Sequence, residues 1–217
     1  MNIIDAAQPV RAGEELDISR IESFLRDAIP GLTGAIAVSQ FPSGHSNLTY
    51  LITAGDREFV LRRPPFGRKV KTAHDMGREY RVLKALRPLY PYCPEALAYT
   101  EDETVLGCPF YIMERLKGII LRKEPPPGMD LSAAAARRLC ERLIDVFVEL
   151  HRVAYRGTDL EGLGRPDGYV RRQVTGWSER YRGARTPDAP DCEAVMAWLL
   201  ERMPSTSPAP AVIHNDY

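Results

Sequence analysis

The residues best placed to do chemistry stand at the carboxyl end, where Val212-Ile213-His214-Asn215-Asp216-Tyr217 reads as a short apolar strand delivering His-x-Asp to a loop. An aspartate presented in this way can accept or orient the proton of an attacking hydroxyl, while the histidine is more often tied to neighbouring backbone. A lone His-x-Asp means little by itself. Upstream, Phe59-Val60-Leu61-Arg62 puts a cation at the end of an apolar strand, and strand alternation sets Val60 and Arg62 on one face with Phe59 and Leu61 on the other. A guanidinium there can grip phosphate or carboxylate through two parallel hydrogen bonds. It can equally be a solvated strand end beside Arg63. Glu79, within Arg78-Glu79-Tyr80-Arg81-Val82-Leu83, falls on a helix after that strand. Its carboxylate could hold Arg62 in position, or pair on the helix surface with Arg78, Arg81 or Lys84.

Two further stretches carry potential chemistry. Ser43, Gly44, His45, Ser46 and Asn47 make a small-residue connection between two strand candidates. Backbone N–H groups in such a loop approach an anion closely and the serine hydroxyls add donors, although an ordinary exposed turn has the same composition. Phe110-Tyr111-Ile112-Met113-Glu114-Arg115-Leu116 is an apolar strand that leaves into a linker. Backbone groups at Glu114, Arg115 and Leu116 could read the edge of a nucleobase there, and a plain core strand has the same spacing.

The elements that must position these residues follow from periodicity. Asp17 to Ile29 has helical spacing at Ile18, Ile21, Phe24, Leu25 and Ile29, with Asp17 as N-cap and Pro30-Gly31 as the stop. Ala35–Phe41, Leu48–Thr53 and Glu58–Arg63 read as strands, with a hairpin turn at Ala54-Gly55-Asp56-Arg57 and a halt at Pro64-Pro65. A helix from Thr72 or Ala73 to Leu86 carries Met76, Tyr80, Leu83 and Leu86 on one stripe, and a second hairpin, Ala96–Thr100 with Thr104–Glu114, turns at Glu101-Asp102-Glu103. After the proline-rich tract at Lys123–Gly128 the text turns helical: a long amphipathic helix from Asp130 or Ser132 to Val153, another around Val170–Tyr181, and one from Cys192 stopped by Pro204. The order predicts an α+β fold in two lobes. Residues 1–116 would form a five-stranded antiparallel lobe with one inserted helix, 117–130 a linker, and 131–217 a mostly helical, incomplete lobe.

Composition narrows the partners. In 217 residues, Lys+Arg and Asp+Glu both number 29, so the formal charge is zero and no field draws the chain toward nucleic acid or an anionic membrane. The amino terminus has no basic segment followed by an apolar run, and no stretch approaches the roughly 18 apolar residues of a membrane span. The four cysteines, Cys93, Cys108, Cys140 and Cys192, are scattered without a C-x-x-C pair, which suits neither a zinc site nor a disulfide framework. Reduced thiols and a cytoplasmic protein are expected.

Taken in order, these segments resemble the aminoglycoside phosphotransferase and choline kinase superfamily. More narrowly, the chain is similar to the kinase-like domain found beside acyl-CoA dehydrogenase modules. Gly44-His45-Ser46-Asn47-Leu48-Thr49-Tyr50, Val60-Leu61-Arg62-Arg63-Pro64-Pro65, Arg78-Glu79-Tyr80-Arg81-Val82-Leu83 and Pro109-Phe110-Tyr111-Ile112-Met113-Glu114 carry the likeness, which continues through Leu150-His151, Arg171-Arg172-Gln173 with Trp177, and His214-Asn215-Asp216-Tyr217. The resemblance implies a protein-kinase-like fold, ATP with Mg²⁺, and transfer of the γ-phosphoryl group to a small-molecule hydroxyl. By it, Ser43 to Asn47 cover the phosphates, Arg62 binds them with Glu79 as partner, Glu114 to Leu116 meet adenine, and Asp216 is the catalytic base. Arginine stands at 62 where lysine is usual, and Asn215 where glycine is usual. The family's metal-binding Asn would follow Asp216 by about five residues, past Tyr217, so the chain as it stands is expected to be a fragment without activity. A non-catalytic nucleotide- or partner-binding pseudokinase is the alternative. A third reading has Arg62, Arg63, Arg68, Lys69 and Lys71 meeting an anion such as the phosphates of CoA, against a merely solvated basic face.

Overall fold

The structure is a computed structural model that describes residues 6–42, 47–67, 75–121, 124–126, 128–129, 131–204 and 209–214. Expectations placed on Ser43 to Ser46, on Arg68, Lys69 and Lys71, and on Asn215 and Asp216 lie outside the described residues. The chain divides into two compact units, residues 1–153 and 154–217.

The first unit opens with α1 (Ile18–Ala28), which starts where the Asp17 carboxylate accepts the Ser19 and Arg20 backbone N–H groups at 3.1 and 3.3 Å. Such a cap replaces hydrogen bonds that the first helical turn cannot make within itself. Strands β1 (Ile36–Gln40), β2 (Leu48–Ala54) and β3 (Arg57–Arg63) follow, then α2 (Met76–Leu86), β4 (Ala96–Thr100), α3 (Glu103–Leu106), β5 (Phe110–Glu114) and α4 (Ala133–His151). The sheet is antiparallel throughout, in the order β1-β2-β3-β5-β4. Gly55, with φ +61°, is the first of the two residues linking β2 to β3. That is the position at which a tight hairpin needs a left-handed residue to match strand twist.

Alternation divides the sheet into two chemically different faces. Tyr50, Ile52, Phe59, Leu61, Phe110 and Ile112 line one of them and pack with Ile21 and Leu25 of α1 into the core. Leu61, Ile112, Ile21 and Leu25 are fully buried, each such side chain contributing about 1.5–3 kcal/mol. Their strand neighbours Arg62 and Tyr111, cross-strand partners on β3 and β5, take the opposite face. There α2 packs against β4 and β5, Tyr80 stacking on Tyr99 with ring centroids 5.4 Å apart.

An amino-terminal segment straps the edge of the sheet. Gln8 and Gln40 exchange backbone hydrogen bonds of 2.8 Å in both directions, and the Gln40 side chain accepts from Arg11 N–H at 3.0 Å while donating to Glu14 at 2.5 Å. Tyr50 donates its hydroxyl to the Glu14 carbonyl at 2.8 Å. Burial of the ring pushes the Tyr50 phenol up to about 12, so it stays a donor at neutral pH.

Two expectations are corrected. The strand expected over Thr104–Glu114 begins only at Phe110, because Asp102 caps Thr104 N–H at 2.8 Å and starts the helical turn α3, which Gly107 closes at φ +69°. A short acidic turn next to a strand has no alternation to reveal it. The strand expected at Ala211–Ile213 is not formed. Apolar β-branched residues make a strand only when a neighbour supplies a ladder, and none pairs with them among the described residues. The expected linker, 117–130, carries no helix or strand among its described residues, and α4 starts at the Ser132 cap.

The second unit is helical among its described residues, with a 3₁₀ turn at Glu161–Leu163, α5 (Tyr169–Ala184) and α6 (Glu193–Glu201). Arg182 reaches Glu193 through two hydrogen bonds of 2.8 and 2.6 Å, tying the two helices together at their exposed surfaces. No described helix is long and apolar enough to cross a membrane.

Candidate functional site

The polar face of the sheet brings together residues from four separate stretches of the first unit. Arg62 projects from β3, and its Nε lies 3.0 Å from Oε2 of Glu79 on α2. This is an ion pair in distance; the N–H is not aimed for a hydrogen bond, and Nε is shielded from solvent without one. The side chain is nonetheless 35% exposed. No other hydrogen bond or ion pair engages the guanidinium among the described residues. Helix α2 can offer Glu79 here because Asp75 caps it, accepting Arg78 N–H at 2.8 Å, and because Gly77 lets the helix approach β4. A Cβ at Gly77 would stand 2.7 Å from the Tyr99 hydroxyl oxygen.

Glu79 is the hub of the group. Its Oε1 accepts Asn47 Nδ2 at 3.0 Å, and its Oε2 accepts the Tyr111 hydroxyl at 2.9 Å. Tyr111 is buried, and burial, reinforced by the negative charge of Glu79, pushes its phenol well above the ordinary tyrosine value. Asn47, which the resemblance assigned to the phosphate-covering loop, thus turns its amide to Glu79. Tyr111 was not singled out from sequence. Alternation along Phe110–Glu114 gives it the face opposite Phe110 and Ile112, but only the register of β3 on β5 makes it the neighbour of Arg62.

The three residues expected at a nucleobase edge have separate surroundings. Glu114 N–H donates to the Glu95 carbonyl at 2.8 Å, and its carboxylate meets Arg87 at 3.3 Å and Glu95 N–H at 3.1 Å. Arg87 also donates to the carbonyls of Pro91 and Cys93, so Glu114 anchors the turn ahead of β4. Arg115 lays its guanidinium over the ring of Phe41, 4.8 Å from the centroid, and donates to the Leu116 carbonyl at 3.1 Å. Leu116 is exposed. His214 is exposed in the second unit. Among the described residues no group of three or more His, Cys, Asp or Glu side chains is placed to hold a metal ion.

An antiparallel five-stranded sheet with a helix-borne glutamate against a basic strand residue, followed by helices, defines a protein-kinase-like phosphotransferase fold. The chain belongs to the phosphotransferase enzyme family, APH, whose family profile matches residues 37–217. It is 34% identical to acyl-CoA dehydrogenase family member 11 of Gallus gallus over 221 residues, an alignment that takes in 100% of this chain and 28% of that protein. Among solved structures, an aminoglycoside phosphotransferase assigned in Ralstonia eutropha JMP134 superposes with a TM-score of 0.72 at 30% identity, over 88% of this chain and 55% of that one. A thermostable mutant of aminoglycoside phosphotransferase APH(4)-Ia, in ternary complex with AMP-PNP and hygromycin B, shares the fold with a TM-score of 0.53 at 13% identity, over 84% of this chain and 60% of that one. This chain therefore spans little more than a quarter of the length of the curated relative and about half of the Ralstonia structure.

Proposed function

We propose that this chain carries the nucleotide-binding part of an ATP-dependent small-molecule kinase that transfers a γ-phosphoryl group to a hydroxyl. The observation that carries the reading is the Arg62–Glu79 pair, with Arg62 Nε 3.0 Å from the carboxylate and the arginine side chain 35% exposed. A guanidinium can face a carboxylate with one side and fork a phosphate with the other, where the usual lysine would meet both as a single point charge. The ternary complex of the related fold with AMP-PNP supports a nucleoside triphosphate as the anion. In this reading Ser43 to Asn47 cover the phosphates, Glu114 to Leu116 lie beside adenine, and Asp216 takes the proton of the attacking hydroxyl.

Phosphoryl transfer depends on positioning and on neutralising charge at the β- and γ-oxygens. Mg²⁺ would supply part of that neutralisation when bound, and the described residues offer no ligand set for it. Arg62 supplies a fixed positive charge at the phosphates, and Glu79 keeps that charge from swinging into solvent. The acceptor is a small molecule with a free hydroxyl, in the manner of the hygromycin B complex. ADP release by the protein at its full natural length, measured across candidate alcohols with the Asp216→Asn variant in parallel, tests the assignment. Turnover should vanish in the variant while nucleotide affinity stays within about twofold. Phosphoryl transfer retained by Asp216→Asn would remove Asp216 from its role.

A further inference from the structure

Two polar side chains beside Arg62, those of Asn47 and Tyr111, both end on Glu79. Glu79 is about one-third exposed on a helix surface, within reach of solvent, and a free glutamate there would sample several rotamers. It is instead held at both oxygens, Oε1 by Asn47 Nδ2 at 3.0 Å and Oε2 by Tyr111 at 2.9 Å. The donors come from different elements, Asn47 from the residue before β2 and Tyr111 from β5, and both residues are buried. Donors on opposite oxygens fix the plane of the carboxylate as well as its position. Tyr111 and Arg62 are direct cross-strand partners and share the same oxygen, so the hydroxyl sets the point that Arg62 Nε must face.

We propose that Tyr111 and Asn47 are positioning residues for the nucleotide, locking Glu79 so that Arg62 presents its outer fork to the phosphates in one orientation. The inference rests on the reading of Arg62 as a phosphate ligand. Hydrogen bonds to a charged group are about twice as strong as neutral ones, which makes two of them an effective lock on a flexible side chain. The elevated phenol value of Tyr111 keeps it protonated, hence a donor, throughout the neutral range.

The experiment is calorimetric titration of AMP-PNP and, separately, of adenosine into the chain with Mg²⁺ present. Tyr111→Phe keeps the buried ring and deletes only the hydroxyl; Asn47→Ala removes the second donor. Each should weaken AMP-PNP about fivefold and leave adenosine unchanged, since the lock acts on the phosphate end. In a Glu79→Ala background, Tyr111→Phe should cost nothing more, because there is no carboxylate left to hold. A loosening of the fold would weaken both ligands and would persist in that background, and either result overturns the inference. Arg62→Ala separates it from its premise. No loss of AMP-PNP affinity in Arg62→Ala sinks the phosphate-ligand reading and this inference with it, whereas a loss there with none in Tyr111→Phe or Asn47→Ala sinks the inference alone.

Discussion

Replacing Glu79 by alanine should destabilise the β3–β5 region by about 1.5–5.5 kcal/mol. The Tyr111 hydroxyl would be left unpaired in a residue only 2% exposed, which costs about 1–3 kcal/mol. Asn47, 5% exposed, would lose its acceptor on Glu79, worth about 0.5–1.5 kcal/mol. The Arg62 pair adds little, because both partners are about a third exposed and solvent screens them, so about 0–1 kcal/mol is allowed for it. The assay must report on the first unit. Both tryptophans, Trp177 and Trp198, lie in the second unit, so their fluorescence would miss the change. Amide hydrogen exchange of the β3 and β5 segments reads it directly. A second substitution sharpens the result: in the Glu79→Ala background, Tyr111→Phe deletes the stranded hydroxyl and should recover about 1 kcal/mol, whereas alone it should destabilise. A Glu79→Ala shift below about 0.5 kcal/mol, or a Tyr111→Phe cost equal in both backgrounds, would refute the hub role of Glu79.

Two other expectations concern stability away from the hub. Ile112→Ala, at a fully buried position in the interior strand β5, should lower stability by about 2–5 kcal/mol in a denaturant titration followed by circular dichroism. The Glu14 carboxyl is held below the ordinary glutamate value chiefly by the hydrogen bond from Gln40, with Arg11 and Arg63 adding to it against the opposing effect of burial. Its stabilisation is therefore present above the unfolded value and lost as pH falls through the lower folded one. Thermal stability of Glu14→Gln should accordingly depend less on pH than that of the parent across that acidic window, and equal slopes would contradict the assignment.

Local elements were largely legible in the sequence, because each has a local cause. Asp17 and Ser132 cap α1 and α4 where their side chains suggest, Gly55 turns the β2–β3 hairpin, and alternation across Phe59–Arg62 places Arg62 opposite the apolar face. The α3 turn escaped because a single helical turn leaves no periodicity, and Ala211–Ile213 misled because a strand exists only with a partner. At the candidate site, the approach of Arg62 to Glu79 was an expectation from order and spacing alone. The place of Tyr111 depends on which strand lies beside β3, and the sheet order puts β5 there, although β4 precedes it in the chain. Long-range register has no local signature, so neither Tyr111 nor the turning of Asn47 toward Glu79 could be read from the text.

The central claim is that Arg62 meets the phosphates of a nucleoside triphosphate, and the most direct measurement compares AMP-PNP with AMP in binding to the chain and to Arg62→Ala. The account predicts that the parent prefers AMP-PNP and that Arg62→Ala loses affinity for it by about tenfold or more, with little change for AMP. An Arg62→Ala variant that binds AMP-PNP as the parent does would contradict it.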